Sequence, residues 1–87
     1  MIIGLNTHVT AEAGQEYHVQ IEDLDATREL EVRVYLAGRV LFQKRQSYQT
    51  AVEGLGNPKH IEVAVQEELQ KFFTVIKAAI LKGRIHG

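Results

Sequence analysis

Apolar and polar residues alternate with a period of two through the first half of the chain. In the first run, Leu5, Thr7 and Val9 fall on one face and the residues between them on the other. Because successive side chains of a strand point to opposite sides of a sheet, this alternation predicts strands with one buried face. Similar runs follow, and their residues on the buried face are Tyr17, Val19, Ile21, Leu30, Val32, Val34, Val40 and Phe42. The chain is therefore predicted to begin with four strands.

A glycine in the first connection indicates a tight hairpin between the first two strands. Gly14 ends this connection, and glycine adopts positive φ without steric cost. A three-residue loop with Gly14 in the left-handed conformation pairs Val9 with Tyr17 and keeps the apolar residues on one face. The same register places His8 directly opposite His18 on the outer face.

Gly38 has the equivalent position between the third and fourth strands. If this connection is also a three-residue loop with its glycine left-handed, Val34 pairs with Val40 and Val32 with Phe42. We therefore predict the same hairpin geometry at both ends of the sheet.

The remaining segments complete a single α+β domain over residues 1–87. The connection at residues 23–28 is short and polar, which favours an antiparallel meander with strand order 1-2-3-4 over residues 1–48. Asn57 and Pro58 indicate the start of a helix over residues 57–82, since Asn caps helices and Pro suits their first position. The apolar stripe of this long C-terminal helix, which is expected to pack on one face of the sheet, consists of Ile61, Val65, Leu69, Phe72, Ile76 and Ala79 or Ile80.

The second half of this helix is apolar beyond its stripe. The helix would be about 37 Å long, whereas strands of about seven residues span about 23 Å, so its last turns are expected to overhang the sheet. An apolar overhang on a small domain favours a homodimer. The alternative is a bent or shorter helix that covers the sheet edge within one monomer. The predicted dimer interface consists of Val75, Ala78, Ile80, Leu81 and Ile85.

Composition limits the chemistry that the chain can perform. The absence of cysteine excludes disulfides, thiolate nucleophiles and cysteine-bound zinc. The net charge of -1 provides no basic field for nucleic acid or anionic lipid. No apolar stretch reaches the roughly 20 residues needed to cross a bilayer, and no targeting signal is evident, so we expect a cytoplasmic protein. No catalytic constellation is evident, and we predict neither an enzyme nor a cofactor.

The outer face of the predicted sheet carries the candidate binding residues. Arg33, Tyr35, Leu41 and Arg45 combine an aromatic ring, an aliphatic side chain and two guanidinium groups. Such a combination is typical of protein interfaces, so we predict that an unidentified protein partner binds here.

His8 and His18 are the candidates for metal binding. Their Cβ atoms would lie about 5 Å apart in the predicted register. Two imidazoles supply half of a zinc or nickel site, whereas a closed site needs three or four ligands. We therefore predict no metal and interpret the two residues as a solvated pair.

The hairpin from Glu31 to Lys44 is similar to the central hairpin of the double-stranded-RNA-binding domain. That family begins its final helix with a basic cluster, whereas here Lys59 and His60 are soon followed by Glu62. The family's first helix also has no counterpart before the first strand. We therefore do not assign the chain to this family.

Together these features predict a homodimeric protein-protein interaction module. The alternative is a nucleic-acid-associated regulator that uses the outer sheet face, with Arg33, Arg45 and the neighbouring Lys44. Salt-sensitive binding to a duplex would distinguish the alternative.

Overall fold

The fold was examined in a computed structural model, which describes residues 3–85. Its strands and helices, in chain order, are β1 (Gly4–Thr10), β2 (Glu16–Leu24), β3 (Glu29–Leu36), β4 (Arg39–Ser47), α1 (Gln49–Val52) and α2 (Pro58–Leu81). A 3-10 turn at Asp25–Thr27 links β2 to β3. The strands form one antiparallel sheet in the order β1-β2-β3-β4, so the predicted α+β class and the meander topology are confirmed.

The register between β1 and β2 is the predicted one. Val9 pairs with Tyr17, and His8 pairs with His18. The amide of Ala11 donates to the carbonyl of Gln15 at 2.8 Å, which closes a loop of residues 12–14. Gly14 has a φ of 89°, so the loop conformation that aligns the apolar residues is the expected one.

The turn between β3 and β4 is shorter than predicted. Leu36 pairs with Arg39, so the turn consists of Ala37 and Gly38 alone. Their φ values are 52° and 80°. Positive φ at both central residues is the geometry of a type I′ turn, whose twist matches that of the flanking strands. The prediction of a three-residue loop was wrong, because it placed only Gly38 in the left-handed region, whereas Ala37 also adopts positive φ.

A β-bulge in β4 compensates for the shorter turn. The register shifts by one residue, so Val34 pairs with Phe42 rather than with Val40. Val32 in turn pairs with Lys44 rather than with Phe42. The bulge inserts one residue into β4 and returns Phe42 to the inner face, where it packs against the core.

The bulge also changes which face its neighbours occupy. Val40 pairs with Tyr35 and is exposed on the outer face, although the sequence pattern predicted it to be buried. Leu41, predicted on the outer face, packs against the core instead. Beyond the bulge, Lys44 and Gln46 lie opposite buried residues of β3 and therefore on the inner face.

α2 packs on the inner face of the sheet through the predicted stripe. The side chain of Asn57 accepts a hydrogen bond from the amide of Lys59 at 2.9 Å, and Pro58 is the first residue of the helix. The buried residues of the helix are Val65, Leu69, Phe72, Ile76 and Ile80. They form the core together with the inner face of the sheet. Across residues 3–85, no helix is long and apolar enough to cross a membrane.

The end of α2 does not project freely, and two residues of the predicted dimer interface, Ile80 and Ile85, are buried within the monomer. Ile80 is 1% exposed and Ile85 is also buried. The amide of Arg84 donates to the carbonyl of Ala79 at 2.8 Å, and Gly83 has a φ of 71°. This hydrogen bond across a left-handed glycine turns the chain back at the helix end. Ile85 thereby reaches the core of its own monomer.

Tyr48 holds the segment between β4 and α2 against the end of the sheet. Its hydroxyl donates to a carboxylate oxygen of Asp23 at 2.6 Å. Its amide donates to the carbonyl of Arg28 at 2.9 Å. Tyr48 and Val52 are both buried, so the short helix α1 closes one end of the core.

Candidate functional site

Three of the four predicted partner-binding residues lie on the outer face. Arg33 and Tyr35 belong to β3, and Arg45 belongs to the neighbouring β4. Leu41 is not part of this surface, because the bulge directs it to the core. Val40 takes the place of Leu41 on the outer face, so the surface keeps one exposed aliphatic side chain.

Glu31 joins the two arginines, a pairing that was not predicted from the sequence. One of its carboxylate oxygens lies 2.8 Å from Nη2 of Arg33, and the other lies 2.8 Å from Nε of Arg45. Gln43 donates a further hydrogen bond at 3.3 Å. The Glu31 side chain is only 3% exposed. Much of the positive charge on this face is therefore neutralised within the monomer.

These contacts lower the pKa of Glu31 below its ordinary value of 4.5. The hydrogen bond from Arg45 is the main cause; the hydrogen bond from Gln43 and the charges of both arginines act in the same direction. Desolvation of the carboxylate opposes them. The pair with Glu31 also raises the pKa of Arg45. Both groups are therefore charged at neutral pH.

We expect Glu31 to give the protein an acid-sensitive component of stability. A carboxylate with a lowered folded-state pKa stabilises the fold above pH 4.5, and this stabilisation is lost as the pH falls through the folded-state pKa. In Glu31→Gln, urea unfolding should show a smaller loss of stability below pH 4.5 than in the parent. The exposed Glu22 lies opposite Glu31 on β2, so Glu22→Gln is the matched control. Equal acid dependence in the parent and Glu31→Gln would contradict this account.

A row of rings crosses three strands at the other end of the outer face. The rings of His8 and His18 are stacked, with centroids 4.8 Å apart and planes inclined by 20°. Tyr35 continues the row, with its centroid 5.7 Å from that of His18. Asn6 Oδ1 forms a hydrogen bond with His18 Nε2, and the carboxylate of Glu16 lies 4.0 Å from His8 Nδ1. The predicted proximity of the two histidines is confirmed.

Their proximity does not assemble a metal site in the described structure. Within residues 3–85, no group of three or more His, Cys, Asp or Glu side chains is arranged to hold a metal ion. The two imidazoles supply fewer ligands than a closed zinc site requires. The geometry therefore favours a stacked polar surface.

The predicted dimer residues do not form one continuous patch. Val75 is 64% exposed and Leu81 is 44% exposed, while Ala78 is half-buried. Val75 and Leu81 are six residues apart, which separates them by about 120° around the helix. They therefore face different directions.

β1 leaves an open edge of the sheet. The amide of Asp23 donates to the carbonyl of Ile3 at 3.2 Å. Hydrogen-bonded pairs alternate along an antiparallel ladder, so the odd-numbered residues of β1 bond to β2. The even-numbered residues direct their amide and carbonyl groups to the open edge, where they have no backbone partner among the described residues; they are Gly4, Asn6, His8 and Thr10.

The two sheet edges differ in their protection against pairing with another strand. β1 contains no Lys, Arg, Asp, Glu or Pro. β4, at the opposite edge, contains Arg39, Lys44 and Arg45 in addition to its bulge. Charged side chains and bulges are the features with which proteins prevent edge pairing. Only the β1 edge lacks both.

A groove of about 400 Å³ lies between α2 and β4. The main contacts of α2 with the sheet are to β1 and β2, so the inner side of β4 remains uncovered. The apolar lining consists of Phe42, Phe72, Val75, Ile76, Ala79 and Ile85, and the charged lining consists of Lys44, Glu68, Lys71 and Arg84. We refer to this cavity as the α2–β4 groove.

The sequence analysis did not find this groove. The predicted register placed Phe42 opposite Val32, and Lys44 was considered only as a contact to nucleic acid beside Arg45, whereas it lies on the inner face. A signal was nevertheless present, since the polar pair Lys44 and Gln46 follows Phe42 at alternate positions. Polar residues on the inner face of an edge strand indicate that a helix does not cover it.

The fold and its surfaces were compared with known proteins. No protein-family model, no curated protein and no solved structure matches this chain.

Proposed function

We propose that the protein is a homodimeric protein-protein interaction module whose two copies pair through β1. The observation that carries this proposal is the open edge of β1, which has free backbone groups, no charged Lys, Arg, Asp or Glu side chain and no proline. A second copy of the same strand supplies the complementary groups. The proposed dimer interface is therefore the sheet edge and not the helix end, where the sequence pattern predicted it.

The sequence of β1 is self-complementary in the antiparallel direction. A twofold axis at Thr7 sets Leu5 opposite Val9 of the second copy, so apolar residues meet on the inner face. Asn6 is then opposite His8 of the second copy, so the free backbone amide and carbonyl groups of the two edges can form hydrogen bonds with each other. Such a pair forms about eight backbone hydrogen bonds. A shift by one residue would set inner residues opposite outer ones, so burial favours this register.

The position of α2 is compatible with this pairing. Strands lie about 4.8 Å apart, so the twofold axis is half of this distance outside β1. A helix centred above β1 and β2 lies the other half inside β1, which places it about 5 Å from the axis. The two α2 helices would then lie about 10 Å apart, which is close to the usual spacing of packed helices. Phe73 is about 160° around the helix from Val75, on the flank away from the α2–β4 groove. Contact between the helices at Phe73 adds buried apolar area.

The test compares His8→Pro with His8→Ala. Both variants lose the imidazole ring, but only proline removes the amide that points to the open edge. We expect light scattering over a concentration series to give a mass near twice 9.8 kDa for the parent and His8→Ala. His8→Pro should give the monomer mass while its circular dichroism remains that of the folded protein.

Hydrogen exchange provides a second readout that needs no substitution. The amides of Asn6 and His8 should exchange slowly in concentrated samples and quickly in dilute ones, because only the dimer protects them. A parent that remains monomeric would overturn the proposal. So would a dimer that survives His8→Pro but dissociates in Leu81→Glu, since it would be formed by the helix end.

The alternative, a nucleic-acid-associated regulator, has one favourable observation. The rings of His8, His18 and Tyr35 form a row on which bases could stack. The electrostatic support is weak, because Arg33 and Arg45 both pair with Glu31. Binding of a duplex or single strand that weakens with salt would support the alternative. A cytoplasmic location, compatible with the absence of cysteine, is part of the main proposal.

A further inference from the structure

We propose that the α2–β4 groove binds a linear anionic amphiphile, of the chemical class of a fatty-acid carboxylate. The apolar chain would lie along Phe42 and Phe72, and the carboxylate would face the cationic rim. The groove lies at the edge of the sheet opposite to β1. The inference is therefore independent of the proposed dimer, which would leave both grooves open.

The groove exists because one helix is narrower than the sheet. The outer strands of a four-stranded sheet are about 14 Å apart, whereas a helix is about 10 Å wide with its side chains. Since α2 lies above β1 and β2, the space over β4 is left unfilled. The bulge then directs Phe42 into this space, and the turn after α2 brings Ile85 to its border.

One apolar wall of the groove is open to solvent. Val75 forms part of the wall and is 64% exposed. The groove volume of about 400 Å³ falls within the range of small-molecule sites, which is about 300–1,000 Å³. An apolar cavity of this size with polar groups at its border is the usual form of a ligand site.

The charges at the border select an anion. The charged side chains at the border are three cations and one carboxylate, namely Lys44, Lys71, Arg84 and Glu68. The ammonium of Lys71 is 4.0 Å from Glu68, which is a weak pair at an exposed position. Among the described residues, Lys44 and Arg84 form no ion pair. The groove therefore retains two uncompensated positive charges beside an apolar surface.

The experiment titrates the full chain with dodecanoate, kept below its critical micelle concentration, and follows binding by calorimetry. Val75→Glu places a carboxylate in the wall, and Val63→Glu is its matched control because Val63 is a 57% exposed valine of the same helix outside the groove. We expect saturable binding to the parent and to Val63→Glu. Val75→Glu should weaken binding by about tenfold or more.

Two further comparisons test the chemical class of the ligand. Affinity should rise about fourfold per methylene from octanoate to dodecanoate, as expected for burial of the chain. Dodecanol, which lacks the charge, should bind more weakly than dodecanoate. Lys44→Gln should reduce the affinity for dodecanoate, whereas Lys59→Gln, which changes a lysine outside the groove, should not.

Several results would overturn the inference. Absence of saturable binding, equal affinity for dodecanol and dodecanoate, or equal weakening by Val75→Glu and Val63→Glu would each do so. A groove that binds an acidic amphipathic peptide and not dodecanoate would show that its occupant is a protein segment. Light scattering on the same variants shows whether they have the mass of the parent, so that a change in binding is not confused with a change in dimerisation.

Discussion

Replacing Leu69 with alanine should lower the free energy of unfolding by about 2–5 kcal/mol. Leu69 lies in the middle of α2 and is 1% exposed. The substitution removes apolar contacts and leaves a cavity that the surrounding residues fill only in part. Domains of this size have a total stability of about 5–15 kcal/mol. The loss is therefore a large part of what holds the chain folded.

Urea unfolding followed by circular dichroism measures this loss. Val63→Ala is the control, because it shortens an exposed side chain of the same helix and should change stability by less than about 0.5 kcal/mol. Similar midpoints for Leu69→Ala and Val63→Ala would mean that α2 does not pack on the sheet through this stripe.

Replacing Tyr48 with alanine should cost about 3–5 kcal/mol, the range for a large buried aromatic side chain. Its ring is buried at the end of the sheet, and its hydroxyl donates to Asp23 at 2.6 Å. Desolvation and this hydrogen bond raise the pKa of Tyr48 above its ordinary value of 10.0. The hydroxyl therefore remains a donor throughout the physiological range.

Tyr48→Phe separates the hydrogen bond from the packing. It keeps the ring and removes the hydroxyl, and we expect a loss of about 1–2 kcal/mol. Urea unfolding of both variants gives the two contributions. If Tyr48→Phe were as destabilised as Tyr48→Ala, packing of the ring would not be the main contribution. If neither variant were destabilised, α1 would not close the core.

Local patterns were sufficient for most of the architecture. The β1–β2 register followed from alternation and one left-handed glycine, because a shift by one residue would have exposed the whole apolar face. The start of α2 followed from Asn57 and Pro58, whose preferences act within one turn of the helix. Both signals depend on residues close together in the chain.

The errors arose where distant contacts decide the conformation. Ala37 adopts positive φ at a cost of about 1–2 kcal/mol, and no local preference favours this. Packing of Phe42 against the core supports the short turn and the bulge together. Tyr48 was missed for a similar reason, since its segment has no period and its partner Asp23 is 25 positions away.

The four strands, the α+β class and the long amphipathic helix could therefore be read from the order of the residues, because period and capping are local properties. The position of α2 over β1 and β2, the burial of Ile85 and the pairing of Glu31 with two arginines could not. The position of α2 depends on how a helix and a wider sheet share a limited contact area, whereas Arg45 is opposite Glu31 because of the bulge in β4. The same mismatch in width leaves β4 uncovered and produces the α2–β4 groove.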